Sequence, residues 1–159
     1  MENHAKSAHH EGGSKAYVML AINLGLSLLV MYLAMFAMIW SWGEFIQNVN
    51  FFYMALVMWA PMGAIMLATM GGMYRNRKLN AVLYMAFAAI FVLSLLGIRQ
   101  QSLVGDDQFL RSMIPHHSGA ILMCREADLA DPEIRGLCEG IVQSQRQEIA
   151  QMKRLLEQP

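Results

Sequence analysis

The chain has 159 residues, 56% of them hydrophobic and only 15% charged, with twelve Lys and Arg balancing twelve Asp and Glu. That charged share lies below the roughly 25% of ordinary soluble domains, and the lack of a basic excess gives nucleic-acid binding no support. The charges are unevenly spread: between Lys15 and Arg99 only Glu44, Arg75, Arg77 and Lys78 occur, whereas residues 99–159 are rich in them. The expectation is an all-α chain, with a membrane portion first and a small water-exposed portion after it.

Residues 1–15 are polar, carry His4, His9 and His10, and read as a solvated tail. Residues 16–42 are uncharged and apolar, longer than the roughly 20 residues a membrane helix needs and too long for a signal-peptide core. Trp40 and Trp42 stand at the end of this stretch, where amphipathic rings favour the lipid–water boundary. Residues 41–50 form a short polar link. A second span covers residues 51–74 and contains Pro61, which removes one backbone hydrogen bond.

Two ridges run along that second span. Met54, Met58, Met62, Met66 and Met70 recur every fourth residue, with Met73 just beyond; Ala60, Ala64, Ala68 and Gly72 recur two positions out of step. Two residues turn a helix by about 200°, so the ridges lie on nearly opposite faces. The small ridge suits close approach of another membrane helix. The methionine ridge, with Met31, Met35 and Met38 on the first span, either packs or offers thioethers to a soft ion. Packing is the simpler reading, because no histidine, cysteine or acid accompanies these methionines.

Arg75, Arg77 and Lys78 form a basic loop before a third span over residues 79–98. The positive-inside rule places that loop, with Lys6 and Lys15, in the cytoplasm and the 41–50 link outside. Three spans then leave residues 99–159 outside, which in a bacterial inner membrane means the periplasm.

Within residues 99–159, Gly105-Asp106-Asp107 reads as an acidic helix start. Phe109, Leu110, Met113, His117, Ala120, Ile121, Cys124 and Ala127 follow with helical periodicity. Pro115 either lies inside this helix, freeing the carbonyl of Arg111, or in its first turn. Ala130-Asp131-Pro132-Glu133 marks a turn and a second helix start. That helix offers Ile134, Cys138, Ile141, Val142, Ile149, Met152 and Leu156 on one stripe, interrupted by Gln145. The expected architecture is an antiparallel helical hairpin.

The chemistry concentrates at Met113 to Met123, where His116 and His117 stand between two methionines. Imidazole and thioether together suit a soft or borderline metal, copper above all. If the hairpin folds about Asp131, Met113, His116, His117 and Met152 cluster without distortion, and Gln145 or Glu148 can hold a histidine's second nitrogen. Cys124 and Cys138 are equidistant from Asp131. A disulfide is geometrically reasonable there, with packed free thiols or metal thiolates as the alternatives. A hairpin this short buries little surface, so it is expected to pair with a second copy as a homodimer or larger assembly.

These residues resemble the family called domain of unknown function 305. The matching pattern is Asp106-Asp107, Phe109, Met113-Ile114-Pro115-His116-His117, Ala120-Ile121 and Met123. It continues through Pro132-Glu133-Ile134, Gln145, Glu148-Ile149 and Met152, so that the resemblance covers residues 106–156. It implies a ferritin-like four-helix bundle, here completed by dimerisation, and copper ligation by Met113, His116, His117, Met123 and Met152. The chain departs from the family in holding a single hairpin, in Leu155 where tryptophan is common, and in its fused membrane portion.

The function expected is that of a membrane-anchored periplasmic protein binding copper(I) for tolerance, storage or delivery, with a copper-handling protein as a partner. The alternative is a non-catalytic accessory subunit that docks through its small-residue ridge. An enzyme is not expected: di-iron bundles need paired Glu-x-x-His motifs, and no Glu here has a His three residues on.

Overall fold

The computed structural model describes residues 2–158, with side chains from Lys15 onward, and is helical throughout with no strand among the described residues. Five helices follow in order: α1 (Glu2–Ala34), α2 (Val49–Thr69), α3 (Arg77–Gln100), α4 (Asp106–Glu126) and α5 (Pro132–Leu156). A short 3-10 turn over Trp42–Glu44 lies between α1 and α2. Three helical segments, Lys15–Ala34, Val49–Thr69 and Arg77–Gln100, are long and apolar enough to cross a membrane. The chain divides into two compact units, Met1–Tyr32 with Tyr53–Gln100, and Leu33–Phe52 with Gln101–Pro159.

The first unit contains the three apolar helices. Its core gathers Leu20 and Leu24 of α1, Ala60 and Leu67 of α2, and Phe87 of α3. Close approach rests on two glycines. A Cβ at Gly63 would stand 2.7 Å from the Phe87 ring, and one at Gly97 would stand 3.0 Å from Tyr53. Small residues let apolar helices approach where no hydrophobic drive separates helix from lipid. Two side-chain links add direction. The Trp59 indole donates to the carbonyl of Leu24 at 2.7 Å, and the Tyr17 hydroxyl donates to Asn80 at 2.7 Å.

Pro61 lies inside α2. The two ridges of α2 are each divided. Ala60 is fully buried and Ala64 packs on the core, whereas Ala68 and Gly72 are exposed within the chain. Met62 and Met66 pack on the core, while Met54, Met58, Met70 and Met73 face outward. The buried line is Ala55, Ala60, Gly63 and Leu67, which is not the strict four-residue ridge. A straight α-helix advances 3.6 residues per turn, so a ridge of period four drifts off any one contact face.

Helix boundaries differ from the sequence expectation. α1 begins at Glu2, so the stretch read as a tail continues the helix; the side chains of His4, His9 and His10 lie outside the described residues. The helix ends at Ala34 and not at residue 42. Residues 35–39 instead turn through the bonds Phe36 N to Leu33 O, Ala37 N to Ala34 O and Ile39 N to Phe36 O. The reason is tertiary: Phe36 is buried against Phe45 and Phe51, with ring centroids 4.2 and 4.9 Å away. α2 ends at Thr69, earlier than expected, and α3 extends to Gln100.

In the second unit α4 and α5 pack along one another. Gly105 caps α4, so Asp106 and Asp107 fall in its first turn and act there by charge. Asp131 caps α5, accepting from the backbone N–H of Glu133 at 2.8 Å, with Pro132 at the first helical position. Pro115 lies inside α4, the first of the two arrangements expected. The shared core is Ile114, Ile121, Ile149 and Met152, with Leu110, Met113, Val142 and Leu156 at its edge.

Residues 41–50 are more than a link, because the segment before α2 packs on α4. Glu44 is buried there and accepts from the Ser118 hydroxyl and from the Ser41 backbone N–H at 3.1 Å. Ser118 in turn accepts from the Trp40 backbone N–H at 2.6 Å. Asn50 donates to Ser112 at 3.2 Å and the Val49 N–H to Gln108 at 3.1 Å. α4 is therefore covered on two sides, and Ser112, Pro115, Ser118 and Gly119 are buried although they are not on the apolar stripe. Phe109, expected on that stripe, is 51% exposed.

Candidate metal centre

The second unit brings four of the five sulfur and imidazole candidates onto neighbouring turns. Met113 flanks the α4–α5 core and Met152 is buried in it. Both owe this to spacing, since Met113 follows Leu110 and Met152 follows Ile149 by three residues, close to one helical turn. His117 lies one turn beyond Met113, and its ring centroid is 6.0 Å from that of the adjacent His116. His116 is exposed and His117 largely buried. Consecutive helical residues diverge by about 100°, which gives the two imidazoles their different surroundings.

The His117 Nδ1 is 2.9 Å from a carboxylate oxygen of Glu148 on α5. The approach is off the line of a hydrogen bond, and Nδ1 remains buried without a hydrogen-bonding partner. Burial lowers the pKa of His117 below its ordinary 6.5; the Glu148 carboxylate opposes that shift and His116 adds to it. Desolvation prevails, so the ring is neutral at pH 7 and keeps a lone pair on one nitrogen. Among the described residues it is Glu148, and not Gln145, that meets His117. The two lie three residues apart on one face of α5, and Glu148 has the charged group.

Met123 stands apart from this cluster. It is 58% exposed and lines a hollow near the end of α4 together with Cys124, Cys138 and Leu129. Cys124 and Cys138 are joined in a disulfide with Cα atoms 5.2 Å apart. Among the described residues no three His, Cys, Asp or Glu side chains converge. A metal held here would therefore draw part of its ligand set from thioether sulfur, the chemistry of a soft ion.

Sequence reasoning missed the polar side of α4. Glu44 and Ser118 lie 74 residues apart, and a serine among apolar residues gives no periodic signal. The available hint was Glu44 itself, the one acid between Lys15 and Arg99. An isolated charge beside a membrane span is costly unless paired.

A family model described as a domain of unknown function, DUF305, matches residues 60–156, more than half of the chain. The match begins inside α2, so it extends well before the motif residues and includes the whole of α3. An uncharacterized protein of Acanthamoeba polyphaga mimivirus is 32% identical over 123 residues, covering 74% of this chain and 77% of that protein. No solved structure matches.

Proposed function

The chain belongs to the DUF305 family, and on that premise we propose that it is a membrane-anchored metal-binding protein that takes copper(I) at Met113, His116, His117 and Met152. The observation that carries this reading is His117: a largely buried imidazole whose pKa burial lowers, with Nδ1 2.9 Å from the Glu148 carboxylate, one helical turn after Met113. Glu148 stands where it would hold the Nδ1 proton and leave Nε2 its lone pair, the usual support of a metal-bound histidine. Met123 is assigned no part in this cluster.

The role follows from the ligands. Thioether and imidazole hold copper(I) without a thiolate, so binding survives in an oxidising compartment such as the bacterial periplasm. The basic residues Arg75, Arg77 and Lys78 favour a cytoplasmic loop, with residues 99–159 on the opposite side of the inner membrane. There the α4–α5 hairpin would store copper or pass it to a copper-handling partner. A second copy would complete a four-helix bundle in a homodimer.

A competition titration of the full chain in detergent, with a chromogenic copper(I) chelator, tests this proposal. One ion per chain is expected for the wild type, with at least a tenfold loss of affinity in the His116→Ala, His117→Ala double variant. Equal binding by both proteins would sink the proposal. The accessory-subunit reading draws on Ala68 at the end of α2 and Gly72 just beyond it, which stay exposed within the chain. In that case Ala68→Leu would abolish function and the histidine variants would leave it intact.

A further inference from the structure

The hollow at the end of α4 gathers three sulfur-bearing side chains outside the histidine cluster. Met123, Cys124 and Cys138 line it with Leu122 and Leu129, and Glu126 is its one acid. A second hollow, lined by Arg125, Arg135 and Arg146, also reaches both cysteines. The disulfide is therefore open to solutes from two directions, unlike a staple sealed in a core. Met123, 58% exposed, has room to turn its sulfur toward them.

We propose that Cys124, Cys138 and Met123 form a second copper(I) site, closed while the disulfide stands and opened when a dithiol reduces it. A disulfide sulfur is a poor ligand, whereas a thiolate is among the best for copper(I). In the opening step the dithiol's sulfur attacks one cysteine sulfur and the Cys124–Cys138 bond breaks. The second sulfur of the reagent then displaces the first cysteine, so the dithiol leaves as its own disulfide and its two hydrogens pass to the cysteines. Binding one copper(I) ion next releases two protons from the thiols and leaves the copper oxidation state unchanged.

The geometry suits chelation. The cysteines face each other across two helices with Cα atoms 5.2 Å apart, so both sulfurs reach one ion without movement of the backbone. Met123 is adjacent to Cys124 and adds a thioether from the same rim. Glu126 is a hard oxygen donor and stays outside the set.

The test counts copper(I) on the full chain in detergent, as isolated and after anaerobic reduction by a phosphine that is then removed. The reduced protein is expected to hold one ion per chain more than the oxidised protein, with helical circular dichroism retained. Alkylating the thiols after reduction should remove that extra ion, and Met123→Leu should weaken it about tenfold. The extra ion should persist in the His116→Ala, His117→Ala background, so its fate is separable from that of the histidine cluster. Equal stoichiometry before and after reduction would overturn the proposal. So would extra copper that accompanies loss of helicity, since it would then belong to an unfolded dithiol.

Discussion

The two units of this chain hold their helices together by different means. In Met1–Tyr32 with Tyr53–Gln100, contact depends on what is missing: Gly63 and Gly97 have no side chain, and Phe87 and Tyr53 occupy the space. In Leu33–Phe52 with Gln101–Pro159, contact depends on what is bonded: the Cys124–Cys138 disulfide, the Glu44–Ser118–Trp40 network and the capped start of α5. Apolar helices in lipid gain little from burying more apolar surface, so fit decides. A unit built on two packed helices buries too little surface to be secure alone, so covalent and polar links compensate. The candidate chemistry lies in the second unit, where polar groups are already fixed.

The largest break in this contrast should come from the disulfide. Closing a loop with a sequence separation of 14 constrains the unfolded chain by about 3 kcal/mol. Reduction, or Cys124→Ser with Cys138→Ser, is expected to lower the unfolding free energy of α4 and α5 by about that amount, read by denaturant titration, while leaving the protease resistance of the three apolar helices unchanged. Ser118→Ala comes next, at about 2 kcal/mol, because the buried Glu44 carboxylate loses a hydrogen bond to a charged group. Denaturant titration in detergent reads it. Ser144→Ala, on an exposed surface, is the control and should change nothing.

In the first unit Gly63→Ala should cost about 1–2 kcal/mol by driving a methyl into the Phe87 ring, and Phe87→Leu should recover part of the loss. Thermal unfolding of both variants checks this pair. A neutral effect of Gly63→Ala would mean that fit is not what joins these helices.

The smallest effect is a pH dependence confined to the second unit. His117 titrates below 6.5 in the fold and near 6.5 when unfolded, so as pH falls the unfolded chain takes the proton first. Stability is unaffected above 6.5 and declines as pH drops from there toward the lowered folded value. Unfolding midpoints measured across that window should slope for the wild type and flatten for His117→Ala.

Particular residues mark how far the sequence could be read. The runs of apolar residues revealed three helices long and apolar enough to cross a membrane, because length and hydropathy are read directly from the chain. Asp131-Pro132 revealed the start of α5, since a cap and a fixed φ are local properties. The pairing of Met113 with Met152 across one core followed from helical periodicity. Residues 35–50 could not be read in this way. Phe36, Trp40 and Glu44 resemble a span end and a loop in sequence, and their partners Phe51 and Ser118 are set by folding.

The sequence by itself therefore determined the helical class, the three helices apolar enough to cross a membrane, the cap of α5 and the family motif. All of these follow from composition, periodicity or contiguous residues. Only the tertiary structure decided that α1 stops at Ala34, that the 41–50 segment covers α4, that Glu148 and not Gln145 meets His117, and that Met123 faces the disulfide hollow instead of the histidines. Each of these depends on which side chains meet across helices, and periodicity gives the face a residue occupies without naming what lies opposite.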